Sequence, residues 1–224
     1  MIYHFYNGSY GIPFRALATA YSGSHGIDIV TVTSTKKTGK PNGMVHLLRS
    51  VRRAMEGAPA ATAHIKRESA LEEIAVADVN GAAFLDRIQP GDAGIITGFN
   101  QIFSPAAIAK FASLVNFHAS VLPYYRGPTP AHWCLQYGEK TTGFTVHEVS
   151  ERIDAGKILY QETVRIDGIA EPKLLMMRIA ETAGPAFVRY LDHLRTGEPF
   201  ATRVIYAASV YNAKVGYRTF ADRT

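Results

Sequence analysis

The chain has 224 residues, 47% of them hydrophobic and 19% charged, with a net charge of +5 and a single cysteine, Cys134. That length fits one domain, or one domain with a small appendage, and a domain of this size needs no disulfide or metal staple. The lone cysteine excludes an internal disulfide, no apolar run reaches the ~18 residues of a membrane span, and the amino terminus lacks a secretory apolar region, so a cytoplasmic location and no membrane contact are expected.

Residues 2–6, IYHFY, read as a buried first strand, and the Asn7-Gly8 pair as the start of a turn over 7–11. Pro13 suits a helix first turn, and Phe14, Leu17, Ala18 and Tyr21 follow helical spacing. Residues 28–33, DIVTVT, are β-branched and read as a second strand. The chain therefore opens strand–turn–helix–strand, the first half of a doubly wound sheet. Asn7, Gly8 and Ser9 could hold a phosphate on exposed amides at the helix start, although the turn lacks a full glycine fingerprint and the lysine of a P-loop. A plain connector fits them as well.

Residues 34–43 are polar and rich in Gly and Lys, as a loop would be. Met44, Leu47, Leu48, Val51 and Met55 then form the apolar stripe of an amphipathic helix. The cations here, Lys36, Lys37, Lys40, Arg49, Arg52 and Arg53, suit a solvated face, a small anionic ligand or nucleic acid. Further along, 73–77 and 93–97 read as strands, 82–88 as a helix, and Ser104-Pro105 as the opening of a short helix. Residues 113–118 form the next strand, 130–137 a helix, and 143–149 and 158–165 two more strands. Residues 171–196 carry a helical stripe that Gly184-Pro185 should kink or split, with Gly197 as the C-cap. The tail, 198–224, could add a hairpin. The fold class expected is α/β, a Rossmann-like, doubly wound and mostly parallel sheet. Its domain is placed at 1–197, with 198–224 as a short appendage.

Residues 114–133, LVNFHASVLPYYRGPTPAHW, form the centre of this plan. Asn116 and His118 are two apart on a strand and so share a face. They stand at the strand's carboxyl end, where open parallel sheets bind ligands. Asp154 lies in the loop SERIDAGK between two later strands, ahead of Gly156. A carboxylate against an imidazole holds one tautomer and favours the protonated form. Acyl transfer to an amine needs donors aimed at an oxyanion, which Asn116 and protonated His118 can supply. It also needs a base for the amine's proton, which His118 or Asp154 can supply. The same residues admit plainer readings: a satisfied core histidine, and an asparagine capping a loop. His118, His132 and His147 lack metal-ligand spacing, so no metal is expected, and Cys134 reads as a buried thiol.

NFHASVLPYYRG, followed by TGFTVHEVSERIDAGKILYQ, resembles the folate-dependent formyltransferase family. That family includes glycinamide ribonucleotide transformylase, methionyl-tRNA formyltransferase and the sugar-nucleotide N-formyltransferases. Its pattern is Asn-x-His-x-Ser-Leu-Leu-Pro, then Arg-Gly, then a downstream Asp-x-Gly. Asn116, His118, Ser120, Leu122, Pro123, Arg126, Gly127, Asp154 and Gly156 match it, with Val121 in place of one Leu. The resemblance implies Asn116, His118 and Asp154 as the catalytic set and 10-formyltetrahydrofolate as co-substrate. The loop GFNQIFSP is similar to the family's pterin-binding stretch, implying contacts at Gln101, Ile102 and Phe103. Ser150, Glu151, Arg152 and Ile153 would form the opposite wall, and Thr145 and His147 match positions lining the reaction centre.

The family divides over the amine it formylates. The segment after Gly197 is too short for the long carboxyl-terminal barrel of the tRNA enzymes, which counts against nucleic acid. RGPTPAHWCL is similar to the sugar-nucleotide enzymes, implying acceptor contacts at Tyr124, Arg126, Pro130 and Trp133, although Trp133 also reads as plain core. Asn7, Gly8 and Ser9 look more like the glycinamide ribonucleotide enzyme, but Tyr6 and Tyr10 replace the residues that usually flank its phosphate turn. Region 34–75 resembles none of these well and is expected to shape the acceptor site.

The expected function is transfer of a formyl group from 10-formyltetrahydrofolate to a small amine, foremost a nucleotide-linked amino sugar. The alternatives are phosphoribosylglycinamide formyltransferase, a formyltetrahydrofolate hydrolase, and a non-enzymatic module that senses folate or a nucleotide. A homodimer stays open.

Overall fold

The β-branched and aromatic runs of the sequence become strands, and the 3.6-period stretches between them become helices. The computed structural model describes residues 1–36 and 71–205. In chain order the elements are β1 (Ile2–Tyr6), α1 (Gly8–His25), β2 (Ile29–Ser34), β3 (Glu72–Val76), α2 (Ala82–Leu85) and β4 (Ala93–Thr97). They continue with α3 (Pro105–Ile108), β5 (Ser113–His118), α4 (Pro130–Gln136), β6 (Thr141–Glu148), β7 (Ile158–Arg165) and α5 (Pro172–Thr196). The strands form one sheet in the order β3-β2-β1-β4-β5-β6-β7. Strands β1 to β5 pair in parallel, and β6 pairs antiparallel with both β5 and β7. This is the expected mostly parallel α/β sheet.

Alternation along the strands feeds two cores. Val115 and Phe117 of β5 and Phe144 and Val146 of β6 meet Phe14, Ile179 and Phe187 of α1 and α5 on one face. Tyr3, Phe5, Val32 and Leu114 meet Phe84, Phe103 and Phe111 on the other. Each such fully buried side chain contributes roughly 1.5–3 kcal/mol. Asn116 and His118, out of phase with Val115 and Phe117, fall on the second face at the end of β5.

Several boundaries differ from expectation. The stretch 7–11 is no free turn: α1 begins at Gly8, whose φ of 65° lies in the region that favours glycine, and Pro13 sits inside the helix rather than in its first turn. The helix expected over 82–88 is a single turn, α2, and β6 starts at Thr141, before the expected 143. Gly184-Pro185 does not split α5, which runs unbroken to Gly197 with an N–H of Gly197 bonded to His193 O. Burial of Leu175, Ile179, Ala183, Phe187 and Tyr190 outweighs the one hydrogen bond that Pro185 lacks. Gly184 lets α1 approach, since a Cβ there would lie 3.2 Å from Leu17 Cδ1.

In the described part of the tail, Arg203 pairs with Tyr160 in a lone parallel bridge, its carbonyl accepting from Gln161 N at 2.7 Å. The rest of the tail, the loop expected over 34–43 from residue 37 onward, and the amphipathic helix expected over 44–55 lie outside the described residues. No described helix is long and apolar enough to cross a membrane.

Candidate active site

Residues that leave β1, β4 and β5 at their carboxyl ends, together with the loops after β5 and β6, enclose a cleft of about 840 Å³. Asn116, His118 and His147 line it together with Asp154. Antiparallel pairing of β5 with β6 explains the grouping. The register sets Asn116 opposite His147 and His118 opposite Thr145. Directly opposed side chains on one face stand within reach of each other.

Asp154 arrives from the loop between β6 and β7. Its φ of 48° is a left-handed conformation that Asp tolerates better than most residues. Gly156 fits because the returning chain runs against the end of β6; a Cβ there would strike the Glu148 carbonyl. Glu148 N donates to Lys157 O at 2.9 Å, closing the loop.

The Asp154 carboxylate is the hub of the cluster. Oδ2 accepts from Gly127 N at 2.7 Å and lies 3.6 Å from His118 Nδ1. Oδ1 accepts from Asn116 Nδ2 at 3.3 Å and lies 3.5 Å from His147 Nε2. Burial by itself would raise this carboxyl. The His118 charge, the His147 hydrogen bond and charge, and the Gly127 N–H together outweigh burial and hold it well below the usual carboxylate range.

Asn116 Nδ2 also lies 3.2 Å from His147 Nε2. Turning the amide over would set its oxygen against the carboxylate, so the nitrogen faces inward. The two amide hydrogens thus have two acceptors inside the cluster. His118 Nε2 donates to Tyr125 O at 2.8 Å. The donors that sequence reasoning aimed at an oxyanion are therefore engaged with protein groups.

Thr145, matched by resemblance to a reaction-centre position, does not line the cleft. It is fully buried, accepts from Leu122 N at 2.9 Å and donates to Ser120 O at 2.8 Å. Gln161 Nε2 donates to Leu122 O at 2.7 Å and so braces the same loop. These bonds fix the backbone that carries Tyr125 O to His118.

Gln101, Ile102, Phe103, Ser150, Glu151 and Ile153 all line the cleft. Arg152 does not line it. Ile102 is 67% exposed beside buried Phe103, an apolar lip without cover from the described chain. The Gln101 side chain is engaged with the neighbouring loops, donating to Ser34 Oγ at 2.7 Å and accepting from Val79 N at 3.1 Å. Asn80 holds the same loop from behind, donating to Ile102 O at 3.0 Å.

Asn7, Ser9 and Pro130 also line the cleft, whereas Gly8, Tyr124, Arg126 and Trp133 do not. Trp133 is only 5% exposed, since α4 turns that face inward to the core. The Asn7 side chain is taken by Asn100 Oδ1 at 2.5 Å and by Ser34 N at 3.2 Å. Lys173 and Met176 of α5 line the cleft as well. Sequence reasoning missed both: nothing in a helical stripe tells that its start lies against a cleft built by earlier segments.

Comparison with known proteins fits this geometry. A family model described as formyl transferase matches residues 14–191. The chain belongs to the formyl transferase family. Two curated relatives of the chain are methionyl-tRNA formyltransferases. The one from Thermotoga neapolitana is 30% identical over 189 residues, covering 83% of this chain and 56% of the relative. The one from Anaeromyxobacter sp. is 29% identical over 167 residues, covering 74% and 51%. The chain thus spans about half the length of these relatives.

Among solved structures, a sugar N-formyltransferase from Shewanella sp. superposes with a TM-score of 0.65 at 17% identity, covering 99% of this chain and 76% of that one. A phosphoribosylglycinamide formyltransferase from Anaplasma phagocytophilum superposes at 0.62 and 17% identity, covering 92% and 93%. At such identities the likeness is one of fold.

Proposed function

We propose that this formyl transferase moves the formyl group of 10-formyltetrahydrofolate to the amine of a small anionic acceptor, foremost a nucleotide-linked amino sugar. The observation that carries the reading is the Asp154 carboxylate set between His118 and His147 on the wall of an open cleft, with Asn116 touching both Asp154 and His147. In the reaction, the amine nitrogen bonds to the formyl carbon and loses a proton. The bond from that carbon to the folate nitrogen then breaks, and this nitrogen takes its electron pair and a proton. The protein need only hold donors near the developing negative oxygen and carry the proton, which suits a cluster of Asn, His and Asp without a nucleophile.

The folate is consumed as a substrate, and the cleft fits one. Its volume is within the ~300–1,000 Å³ of small-molecule sites, and the exposed Ile102 lip with Phe103 behind it suits a flat heteroaromatic ring. On the acceptor end, Lys173 is the only Lys or Arg among the described residues lining the cleft. A cation at a helix start opposes the backbone dipole, a cost that a bound anion would offset. This favours an acceptor bearing phosphate. With Gly8, Tyr124, Arg126 and Trp133 off the wall, acceptor recognition is assigned to Ser9, Pro130 and Lys173.

The test is a panel of nucleotide-linked amino sugars, glycinamide ribonucleotide and methionyl-tRNA, each incubated with 10-formyltetrahydrofolate and analysed for formylated product. Product from an amino sugar supports the assignment. Product from glycinamide ribonucleotide alone would overturn the sugar acceptor, and folate cleavage that ignores every amine would favour a hydrolase.

A further inference from the structure

Each histidine of the cluster is fixed at one nitrogen by a main-chain carbonyl. Tyr125 O accepts from His118 Nε2 at 2.8 Å, and Glu148 O accepts from His147 Nδ1 at 2.8 Å. A carbonyl only accepts, so both of these nitrogens carry hydrogen. In the neutral rings His118 Nδ1 and His147 Nε2 are then bare, and these are the atoms that flank Asp154, at 3.6 and 3.5 Å. Bare nitrogens gain nothing from a carboxylate; protonated ones gain a charge-assisted hydrogen bond.

His147 Nε2 differs from His118 Nδ1 in one respect. It already accepts from Asn116 Nδ2 at 3.2 Å. A proton at Nε2 ends that bond, because two donors cannot face each other. The protonated nitrogen instead donates to Asp154 Oδ1, and the displaced Asn116 hydrogen has the cleft left to it.

We infer that His147 is a positioning residue: proton uptake at its Nε2 releases one amide hydrogen of Asn116 toward the cleft, where a developing oxyanion can take it. The inference rests on the formyl-transfer reading for its catalytic use. The proton balance closes within one turnover. The proton lost by the attacking amine passes by way of Asp154 to His147 Nε2, and returns to the folate nitrogen when the carbon–nitrogen bond breaks. Oxyanion support is thereby switched on by the proton transfer that accompanies attack. The titratable groups set against His147 are Asp154 from the β6–β7 loop and His118 from β5; its β7 neighbour is the apolar Ile158.

The test needs no substrate. In protein labelled with ¹⁵N at histidine and asparagine side chains, NMR at high pH should show His118 as the Nε2–H tautomer and His147 as the Nδ1–H tautomer. On acidification the Asn116 amide signals should move in step with His147. In His147→Gln, which fills the Nε2 position with a group that does not titrate, that step should vanish. In His147→Asn, whose amide can keep the Glu148 O bond but falls short of Asn116, the Asn116 signals should be insensitive to pH over the same range. An Nε2–H tautomer for His147, or Asn116 signals blind to its titration, would overturn the inference while leaving formyl transfer untouched. With the first active acceptor of the panel, His147→Gln should lower kcat about 10-fold to 100-fold, leave KM within about two-fold and remove one limb of the kcat–pH profile. An unchanged profile would overturn the inference, whereas absence of turnover in the unmutated protein with every acceptor would count against the proposed function instead.

Discussion

Asn116 on β5 and His147 on β6 stand directly opposite each other across an antiparallel strand pair, with Nδ2 of one 3.2 Å from Nε2 of the other. Asp154 reaches this pair from a loop and joins it to His118. The four residues form one connected polar unit. Changes at any one of them should therefore be strongly non-additive with changes at the others.

Asp154→Asn should keep the fold and lower kcat by about 10²- to 10⁴-fold, the range of general acid–base contributions. The pH dependence of stability gives a second check. The folded-state carboxyl is held below its ordinary value, so its stabilising effect is complete above the unfolded value near pH 4 and is lost as pH falls toward the folded one. Urea melts should show the parent chain ahead of Asp154→Asn at pH 7, with the gap closing progressively below pH 4.

His4 makes a different acid response. It is fully buried in β1, its Nε2 is 2.8 Å from Thr97 Oγ1, and its Nδ1 has no partner. Burial first, and then the Arg15 charge, push it down to about 3. The unfolded chain takes up this proton near pH 6.5 and the folded chain does not, so stability falls as pH drops below 6.5 and levels only near 3. At pH 5 the loss should be about 2 kcal/mol. Equilibrium unfolding of His4→Gln should lack that slope between pH 6.5 and 5.

Gly156→Ala should shift the loop that carries Asp154, because the added methyl meets the Glu148 carbonyl. Overpacking of this kind costs about 1–3 kcal/mol. Thermal melts should register the loss, and kcat should fall further than stability alone explains, since Asp154 moves with the backbone.

The two substrates should separate in the kinetics. Ile102→Ser removes an exposed apolar contact, so KM for the folate should rise about 10-fold or more with Tm unchanged. Lys173→Met should raise KM for the acceptor alone, with Lys173→Arg restoring most of it. Steady-state kinetics with each substrate varied in turn would check both.

Local chemistry wrote much of this protein into its sequence. Periodicity marked the strands and α1 and α5, because a side chain's face depends only on its neighbours' spacing. Asn116, His118 and Asp154 could be picked out by motif. What it could not specify were relations across the chain. Pro185 reads as a break, yet packing against the sheet carries α5 through it. Trp133 reads equally as core or wall until α4 is docked and turns it inward. His147 gained a partner only when β6 came back antiparallel, and Lys173 gained a cleft only when α5 crossed the sheet end. Pairing register and helix docking are set by burial summed over distant segments, so residues that meet by those means carry no local mark of the meeting.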